Sequence, residues 1–510
     1  MAGTAVDTDV IVVGAGPTGL MLAGELRLGG ARVTLVERLT EPTGQSRGLG
    51  FTARAMEVFD QRGLLPRFGQ GDTLAVSPLG HFGGVQFDYT ALEDAHFGAR
   101  GIPQSQTEAV LEDWARRLGA DIRRGWEVTG LSEGFLDGDH VEITLATPRG
   151  PRRLRAAYLV GCDGGQSAVR KAAGFDFPGL PAGRTMFLAD VVGCHLEPRF
   201  LGERLPHGMV MAAPLKEGVD RIIVCPHGTP ARDRDDTVTF AEVAAAWQHI
   251  TGEDISAGSA EWVSSFSDAT RLASQYRRGR VLLAGDAAHI HLPAGGQGLS
   301  TGVQDAVNLG WKLAATVRGT AGAHLLDTYH GERHPVGQRL MMNTRAQGTV
   351  FLGGEQSDPL RALFAELLAH DAVKKHLAGI VSHLDIRYDV TAPHTPDTAG
   401  AHPLLGRRLA KRPLTGADGE TDTFRLLHPA RGVLLDLADD PAVRETAARW
   451  NGRVDTVTAA AKPAEGTTDV LAGLDAVLVR PDGHVAWTSD GSPHALADAL
   501  DRWFGDGRAA

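Results

Sequence analysis

The stretch from Arg280 to Arg318 gathers residue types suited to a ligand that becomes anionic. An apolar run, Val281 to Ala284, leads into Gly285-Asp286, and a glycine-rich turn follows at Gly295, Gly296 and Gly298. Helical spacing of Val303, Val307, Gly310, Ala314 and Val317 comes next. Glycines let a bound group approach the backbone, and the free N–H groups of a helix start carry positive partial charge. Such a place suits a group that gains negative charge during turnover. Asp286, just before it, can accept hydrogen bonds from hydroxyls. A second glycine turn, Gly14-Ala15-Gly16-Pro17-Thr18-Gly19, has the G-x-G-x-x-G spacing. That spacing allows a tight turn, close approach of backbone to a pyrophosphate, and close helix–strand packing.

The elements around the second turn decide its meaning. Val10 to Val13 is a β-branched run of the kind found in buried parallel strands. Leu20, Leu22, Ala23, Leu26 and Leu28 then mark a helix, and Arg32 to Val36 a second strand ending in Glu37. An acid at about this interval meets the adenosine ribose in dinucleotide-binding units. A lone G-x-G-x-x-G is weak; strand, turn, helix, strand and acid together define a dinucleotide site. Gly48 to Ala53 also fits the loose pattern, but no strand precedes it, and it is set aside as coincidence.

The remaining chain reads as mixed α/β. A β-rich insertion with turns at Gly80 and Gly83-Gly84 precedes a helix from Thr107 to Leu118. Alternation at Val141 to Leu145 next to the Leu136–His140 turn indicates a hairpin. Short strands (Gly208–Ala213, Arg221–Cys225) and a helix at Ala241–Ile250 occupy the middle, and long helical patterns run over Leu325–Gln347 and Pro359–Val381. Thr391 to Pro396 marks a linker. Beyond it a strand (Gly432–Leu437), a helix (Ala442–Trp450), a strand (Val454–Ala459) and a hairpin at Asp482-Gly483 form a small α/β domain. The domains expected are 1–74, 100–180 and 280–390 for the dinucleotide, 75–99 and 181–279 for a sheet-based substrate domain, and 395–510 at the C-terminus. Oxidation chemistry is expected upstream of the linker, with a soluble truncation there retaining activity.

The 510 residues carry a net charge of −11, which disfavours nucleic acid and anionic membranes as partners. No apolar stretch is long enough to span a bilayer, and no leader pattern opens the chain, so a cytoplasmic location is expected. Cys162, Cys194 and Cys225 are too few and too scattered for a disulfide framework, and none lies in the C-terminal domain, which excludes a CxxC redox role there. His289 and His291, two apart with no third ligand nearby, are poor for zinc; no metal is expected. His330 and His334 read as surface residues.

Three signatures in order, the Gly14–Gly19 turn, Tyr158-Leu159-Val160-Gly161-Cys162-Asp163-Gly164-Gly165, and Gly285-Asp286, resemble the class A flavoprotein aromatic monooxygenases, the para-hydroxybenzoate hydroxylase family. SRGLGFTARAMEVFDQRG (Ser46–Gly63), YLVGCDGGQSAVRKAAGFDFPG (Tyr158–Gly179) and HIHLPAGGQG (His289–Gly298) look like the actinomycete aromatic polyketide hydroxylases, the angucycline hydroxylases above all. The likeness extends to ARGVLLDLAD (Ala430–Asp439) and VLVRPDGHVAW (Val477–Trp487).

This resemblance implies a Rossmann-type FAD-binding domain, an inserted β-rich substrate domain and a thioredoxin-like C-terminal domain. It implies non-covalent FAD, NADPH as a transient co-substrate without a Rossmann unit of its own, O2, and an aromatic polyketide hydroxylated through a C4a-hydroperoxyflavin in antibiotic biosynthesis. By the same resemblance, Gly14, Gly16, Pro17, Thr18 and Gly19 cradle the pyrophosphate, and Glu37 and Arg38 lie by the adenosine. Arg47 and Gln104 contact FAD, Val128 offers its backbone near the adenine, and Asp163 serves both FAD and NADPH. Asp286 bonds the ribityl chain, Gly298, Leu299 and Ser300 begin the helix that faces the reduced flavin, and Pro293 fixes the loop before it. No acid or base is assigned. Baeyer–Villiger oxygen insertion, or polyketide binding without oxidation, stays open, as does a homodimer.

Overall fold

The computed structural model describes residues 6–69, 79–92, 94–232, 237–322, 324–391, 401–462 and 469–507. Its first layer is a parallel sheet in which β1 (Thr8–Val13) lies between β2 (Val33–Glu37) and Arg152–Gly161. Val281–Leu283 pairs parallel to Arg152–Gly161 on one side, and Asp121–Arg124 to β2 on the other. Every residue from Val10 to Val13 is buried, as a strand covered on both faces requires. Helix α1 (Pro17–Leu28) packs on this sheet, and α2 (Gln297–Val317) packs on α1. The carboxyl ends of three adjacent strands therefore deliver Gly14, Cys162-Asp163 and Gly285-Asp286 to one edge, where open α/β sheets bind ligands.

The middle of the chain forms a five-stranded antiparallel sheet: Thr185–Val192, Arg199–Leu205, Gly208–Lys216, Val219–Pro226 and Ser259–Ser267. Helix Phe240–Thr251, closed by a Thr239–Glu242 capping box, covers one face through Val243, Ala244, Trp247 and Ile250. The hairpin Gly80–Phe82/Val85–Phe87, assigned from sequence to this domain, forms a separate two-stranded sheet. It packs on helices Asp358–Leu368 and Asp371–Ser382 instead, because Phe82, Phe87 and Tyr89 find their apolar partners there. Those two helices replace the single one read over Pro359–Val381. The break falls at Ala369-His370: the first helix buries Leu368 and leaves Leu360, Leu363 and Leu367 exposed, while the second buries Leu377, Ala378, Ile380 and Val381. Helix α3 (Thr328–Leu352) accommodates Pro335 in its interior. His330 and His334 are half-buried against Tyr276, whose backbone N–H donates to His330 Nδ1 at 3.3 Å; the surface reading is corrected.

The linker residues after Thr391 lie outside the described residues. The C-terminal domain follows a β-α-β-β-β-α order after a leading hairpin, with Val454–Ala461 parallel to Gly432–Asp436 and Ala476–Val479 and Val485–Thr488 antiparallel beyond it. That is the arrangement expected of a thioredoxin-like domain.

Its junction with the main body is ionic and buried. Arg480 grips Glu332 with two hydrogen bonds of 2.6 and 2.8 Å and also holds Asp482, while Lys312 and Asn308 reach the same Glu332 oxygen at 2.8 and 2.6 Å. All five side chains are buried. Arg62, paired bidentately with Glu25 at 2.6 and 3.0 Å, donates across the junction to the carbonyls of Leu427 and Pro481. The separable domain expected from the linker is thus bonded into the body. Among the described residues no helix is long and apolar enough to cross a membrane.

Candidate active site

The turn after β1 is shaped by close approach. Gly14 has φ +105°, and a Cβ there would lie 2.5 Å from the carbonyl oxygen of Cys162. A Cβ on Gly19 would lie 2.0 Å from the Gly14 oxygen, so only glycine lets α1 start this close to the strand. Gly16 differs: its backbone is ordinary (φ −77°, ψ 176°) and a Cβ would meet no protein atom within 4 Å. Nothing in the protein demands glycine at Gly16, whereas backbone approach by a pyrophosphate does. Glu37 closes the other side, with one carboxylate oxygen accepting from Ala15 N–H at 2.8 Å and the other from Leu39 N–H at 2.9 Å. Trp126 N–H donates to the Glu37 carbonyl at 2.8 Å, which brings Val128, at a bulge in strand Glu127–Leu131, to the same end of the sheet. Arg38 is exposed beside it.

Thr18 is the point where three segments meet. Cβ atoms on Gly285 and Gly302 would lie 2.7 and 2.2 Å from its hydroxyl oxygen, so the Gly285-Asp286 turn and α2 both pack on the first turn of α1. Asp286 is solvent-accessible at this turn. Burial raises its pKa, with His289 and Arg47 opposing. Arg47 is exposed on the facing loop. Gln104 secures that loop, its side-chain oxygen and backbone N–H bonding Gly48 at 3.2 and 3.1 Å. Gly48 touches Leu299, and Ser300 Oγ accepts from Thr52 N–H at 2.8 Å. The segment dismissed as an accidental glycine match therefore forms a wall of the site without being a dinucleotide turn. Pro293 (φ −72°) opens a short turn carrying Gly295 and Gly296 at φ +70° and +65°, left-handed values that favour glycine. Asp163 acts locally: its oxygens accept from Ser167 Oγ and Val169 N–H and start helix Ala168–Ala172.

Beneath the Gly285-Asp286 turn lies a buried network the sequence did not reveal. Asp305 accepts from Gly285 N–H (3.1 Å) and Arg333 Nε (2.7 Å), and bonds His289 Nε2 (2.7 Å). Arg333 continues to Tyr388 OH at 3.0 Å. Burial alone would raise the Asp305 carboxyl, but Arg333 and His289 outweigh it and hold the pKa low. His289 is thus spoken for by Asp305. His291 bonds its own Leu292 carbonyl at 2.7 Å, and burial pushes its pKa down to about 4. The spacing of Gly285 and Asp305 across a loop and a helix gave no periodic signal. The run of polar residues within the helix, Ser300, Thr301, Gln304, Asp305, Asn308 and Lys312, is the signal that could have hinted at it.

The second face of the five-stranded sheet completes the site. Met186, Met209, Met211, Ile223, Cys225 and Phe266 turn towards Leu292, Ala294 and Phe351. Arg221, paired with Asp190 at 2.6 and 2.7 Å and buried, donates from its remaining nitrogen to the Ser46 carbonyl, joining this sheet to the Arg47 loop.

A glycine-lined turn at three strand ends, an acid at the end of β2, a hydroxyl-accepting Asp286 and a helix start define a protein that binds FAD and oxidises or oxygenates at its ring. The residues present fit that group: Gly16 leaves backbone open to a pyrophosphate, and Asp286 keeps a solvent-accessible carboxylate just beyond a neighbouring strand. The comparisons agree. The family described as FAD binding domain matches residues 7–344, and aromatic-ring hydroxylase, C-terminal, matches 402–507. The chain belongs to this family of FAD-dependent aromatic-ring monooxygenases. It is similar to CabE, an aromatic hydroxylase from angucycline biosynthesis, with 60% identity, TM-score 0.92, and 98% and 99% of the two chains covered. It is 44% identical to the 12-dehydrotetracycline 5-monooxygenase/anhydrotetracycline 6-monooxygenase of Streptomyces rimosus, over 98% of this chain and 99% of that one. It is 38% identical to the dialkyldecalin synthase of Streptomyces rugosporus, over 97% and 98%.

Proposed function

We propose that this protein hydroxylates a polycyclic aromatic polyketide of angucyclinone type, with NADPH and O2 as co-substrates. The observation that carries the substrate class is the apolar sheet face on which half-buried Met211, Ile223 and Phe266 face Ala294 over a buried floor of Met186, Met209, Leu292 and Phe351. Its flexible methionines and two aromatic rings suit a broad flat ring system, and it lies beside the loop that meets the flavin. Likeness to hydroxylases named for angucycline and tetracycline substrates supports the same class.

FAD, when bound, supplies the redox chemistry: hydride acceptance and oxygen activation. The protein positions and shields it. Gly14 to Gly19 receive the pyrophosphate, Glu37 and Arg38 the adenosine, with Arg47, Gln104 and Val128 along the nucleotide and Asp286 at the ribityl hydroxyls. The start of α2, at Gly298 to Ser300, would bring the positive end of a helix to the bound flavin and favour negative charge there. A single dinucleotide turn implies that NADPH binds transiently in the cleft. Asp163, tied into its own helix start, would serve both FAD and NADPH from there.

Substrate gating follows, because reduction without substrate would waste NADPH as peroxide. In stopped-flow mixing with NADPH, flavin bleaching is expected to accelerate by about tenfold or more when an angucyclinone or anhydrotetracycline is bound, a coupling of ordinary size. Equal rates with and without every such ligand would refute the gating. A second reading, polyketide binding without net oxidation, draws on the similarity to a protein named a synthase. Substrate-independent NADPH consumption with unchanged polyketide would favour it.

A further inference from the structure

Behind the Pro293–Gly296 turn runs a directional chain of buried hydrogen bonds that none of the residues assigned above explains. Gln297, the first residue of α2, is fully buried, and its amide nitrogen donates to the Ala294 carbonyl at 3.2 Å. Its amide oxygen accepts twice: from Asn343 Nδ2 at 2.8 Å and from His383 Nε2 at 3.1 Å. A histidine that donates from Nε2 in its neutral form must accept at Nδ1, and Gln304 Nε2 supplies that donor at 2.9 Å. Asn343 is oriented in turn by Gln347, whose nitrogen donates to its Oδ1 at 3.1 Å and whose oxygen accepts from Gly83 N–H at 3.2 Å. Each amide thus has one allowed orientation.

Two further features point to a device for placing the loop. His383, at φ +62°, is the left-handed residue that ends helix Asp371–Ser382, and this helix end sets its ring beside Gln297. Burial also keeps its ring neutral, with the pKa pushed down to about 3, as the accepting Nδ1 requires. Asn343 and Gln347 sit on α3, the helix that ends in Phe351 and Leu352 against the substrate-facing sheet. One helix therefore contacts the substrate wall and, eight residues earlier, holds the flavin loop.

We propose that Gln297, oriented by Asn343 and His383, is a positioning residue that fixes the Ala294 carbonyl and the turn Pro293–Gly296 against the flavin. The inference rests on the reading that this turn and the start of α2 face the flavin ring. Without the amide of Gln297 the two left-handed glycines have no tie to the helix beyond the backbone, and the turn samples other shapes.

The test is FAD affinity, measured by fluorescence titration of apoprotein, together with product formed per NADPH consumed. Gln297 and His383 both line a cavity of about 330 Å3, so leucine at either position borders existing space and the variants are expected to fold. Gln297→Leu and His383→Leu should each weaken FAD binding by roughly tenfold, the size of one lost buried hydrogen bond, and lower product per NADPH. His383→Gln, which keeps a donor and an acceptor, should recover most of the affinity, an outcome a mere packing role does not give. Asp286→Ala is the control for the site itself. If Asp286→Ala weakens FAD while folded Gln297→Leu and His383→Leu do not, the positioning role is overturned and the site stands. If none of the three alters FAD binding, the placement of the flavin falls with it.

Discussion

Arg480→Ala is expected to destabilise the whole protein by about 3–5 kcal/mol, the range for removing one partner of a buried charge cluster. The wild-type cluster balances two carboxylates, Glu332 and Asp482, against Arg480 and Lys312, with Asn308 donating to both acids. Without the guanidinium, two buried acids share one ammonium, and burial already pushes the Lys312 pKa down to about 8. Arg480 also lies over the Trp503 ring at 4.4 Å, so alanine loses packing as well as charge. Urea unfolding followed by tryptophan fluorescence measures the effect. Arg480→Lys should recover part of it, keeping the charge but not the two-pronged grip on Glu332. A midpoint equal to wild type for Arg480→Ala would show that the junction is not held this way. The same geometry revises the truncation expected from sequence: cutting before the C-terminal domain strips Glu332, Asn308 and Arg62 of buried partners, so the shortened chain should be insoluble.

The second large effect separates two reasons for a glycine. Gly19→Val should abolish FAD binding and destabilise the fold, because its side chain starts 2.0 Å from the Gly14 carbonyl oxygen and α1 has to move off the turn. Gly16→Val should also abolish FAD binding, yet leave apoprotein stability within about 0.5 kcal/mol, the usual range for a surface change. Its backbone is already extended, and a Cβ there meets no protein atom. Only the ligand is excluded. FAD retention by folded Gly16→Val would show that the pyrophosphate lies elsewhere.

These contrasts mark what a sequence can disclose. The nucleotide unit was legible because its signals are local: β-branched runs, glycines at fixed offsets and an acid at the end of β2. The C-terminal domain was legible for the same reason, from alternating strand and helix patterns around Asp482-Gly483. What escaped was set by contacts between distant segments. Asp305 bonds Gly285 and Arg333 from a helix whose neighbours read as plain apolar periodicity. Arg480, inside VLVRPDGHVAW, carried no local signal of its partner and bonds Glu332, 148 residues away in sequence. The histidine pair at His289 and His291 drew attention for its spacing, whereas their individual partners, Asp305 and the Leu292 carbonyl, decide their roles. Placing Gln104 and Arg47 depended on family resemblance. The structure supplies the physical link, since Gln104 ties down the loop that carries Arg47.

The measurement closest to the central claim follows the oxygen atom. The purified FAD-loaded protein is given NADPH, an angucyclinone and isotopically heavy O2, and the product is analysed by mass spectrometry and NMR. The account predicts one heavy oxygen per product, bonded to an aromatic ring carbon as a hydroxyl, with the second atom leaving as water. Heavy oxygen found inside a ring bond beside a ketone, or a polyketide recovered without heavy oxygen while the flavin cycles, would contradict it.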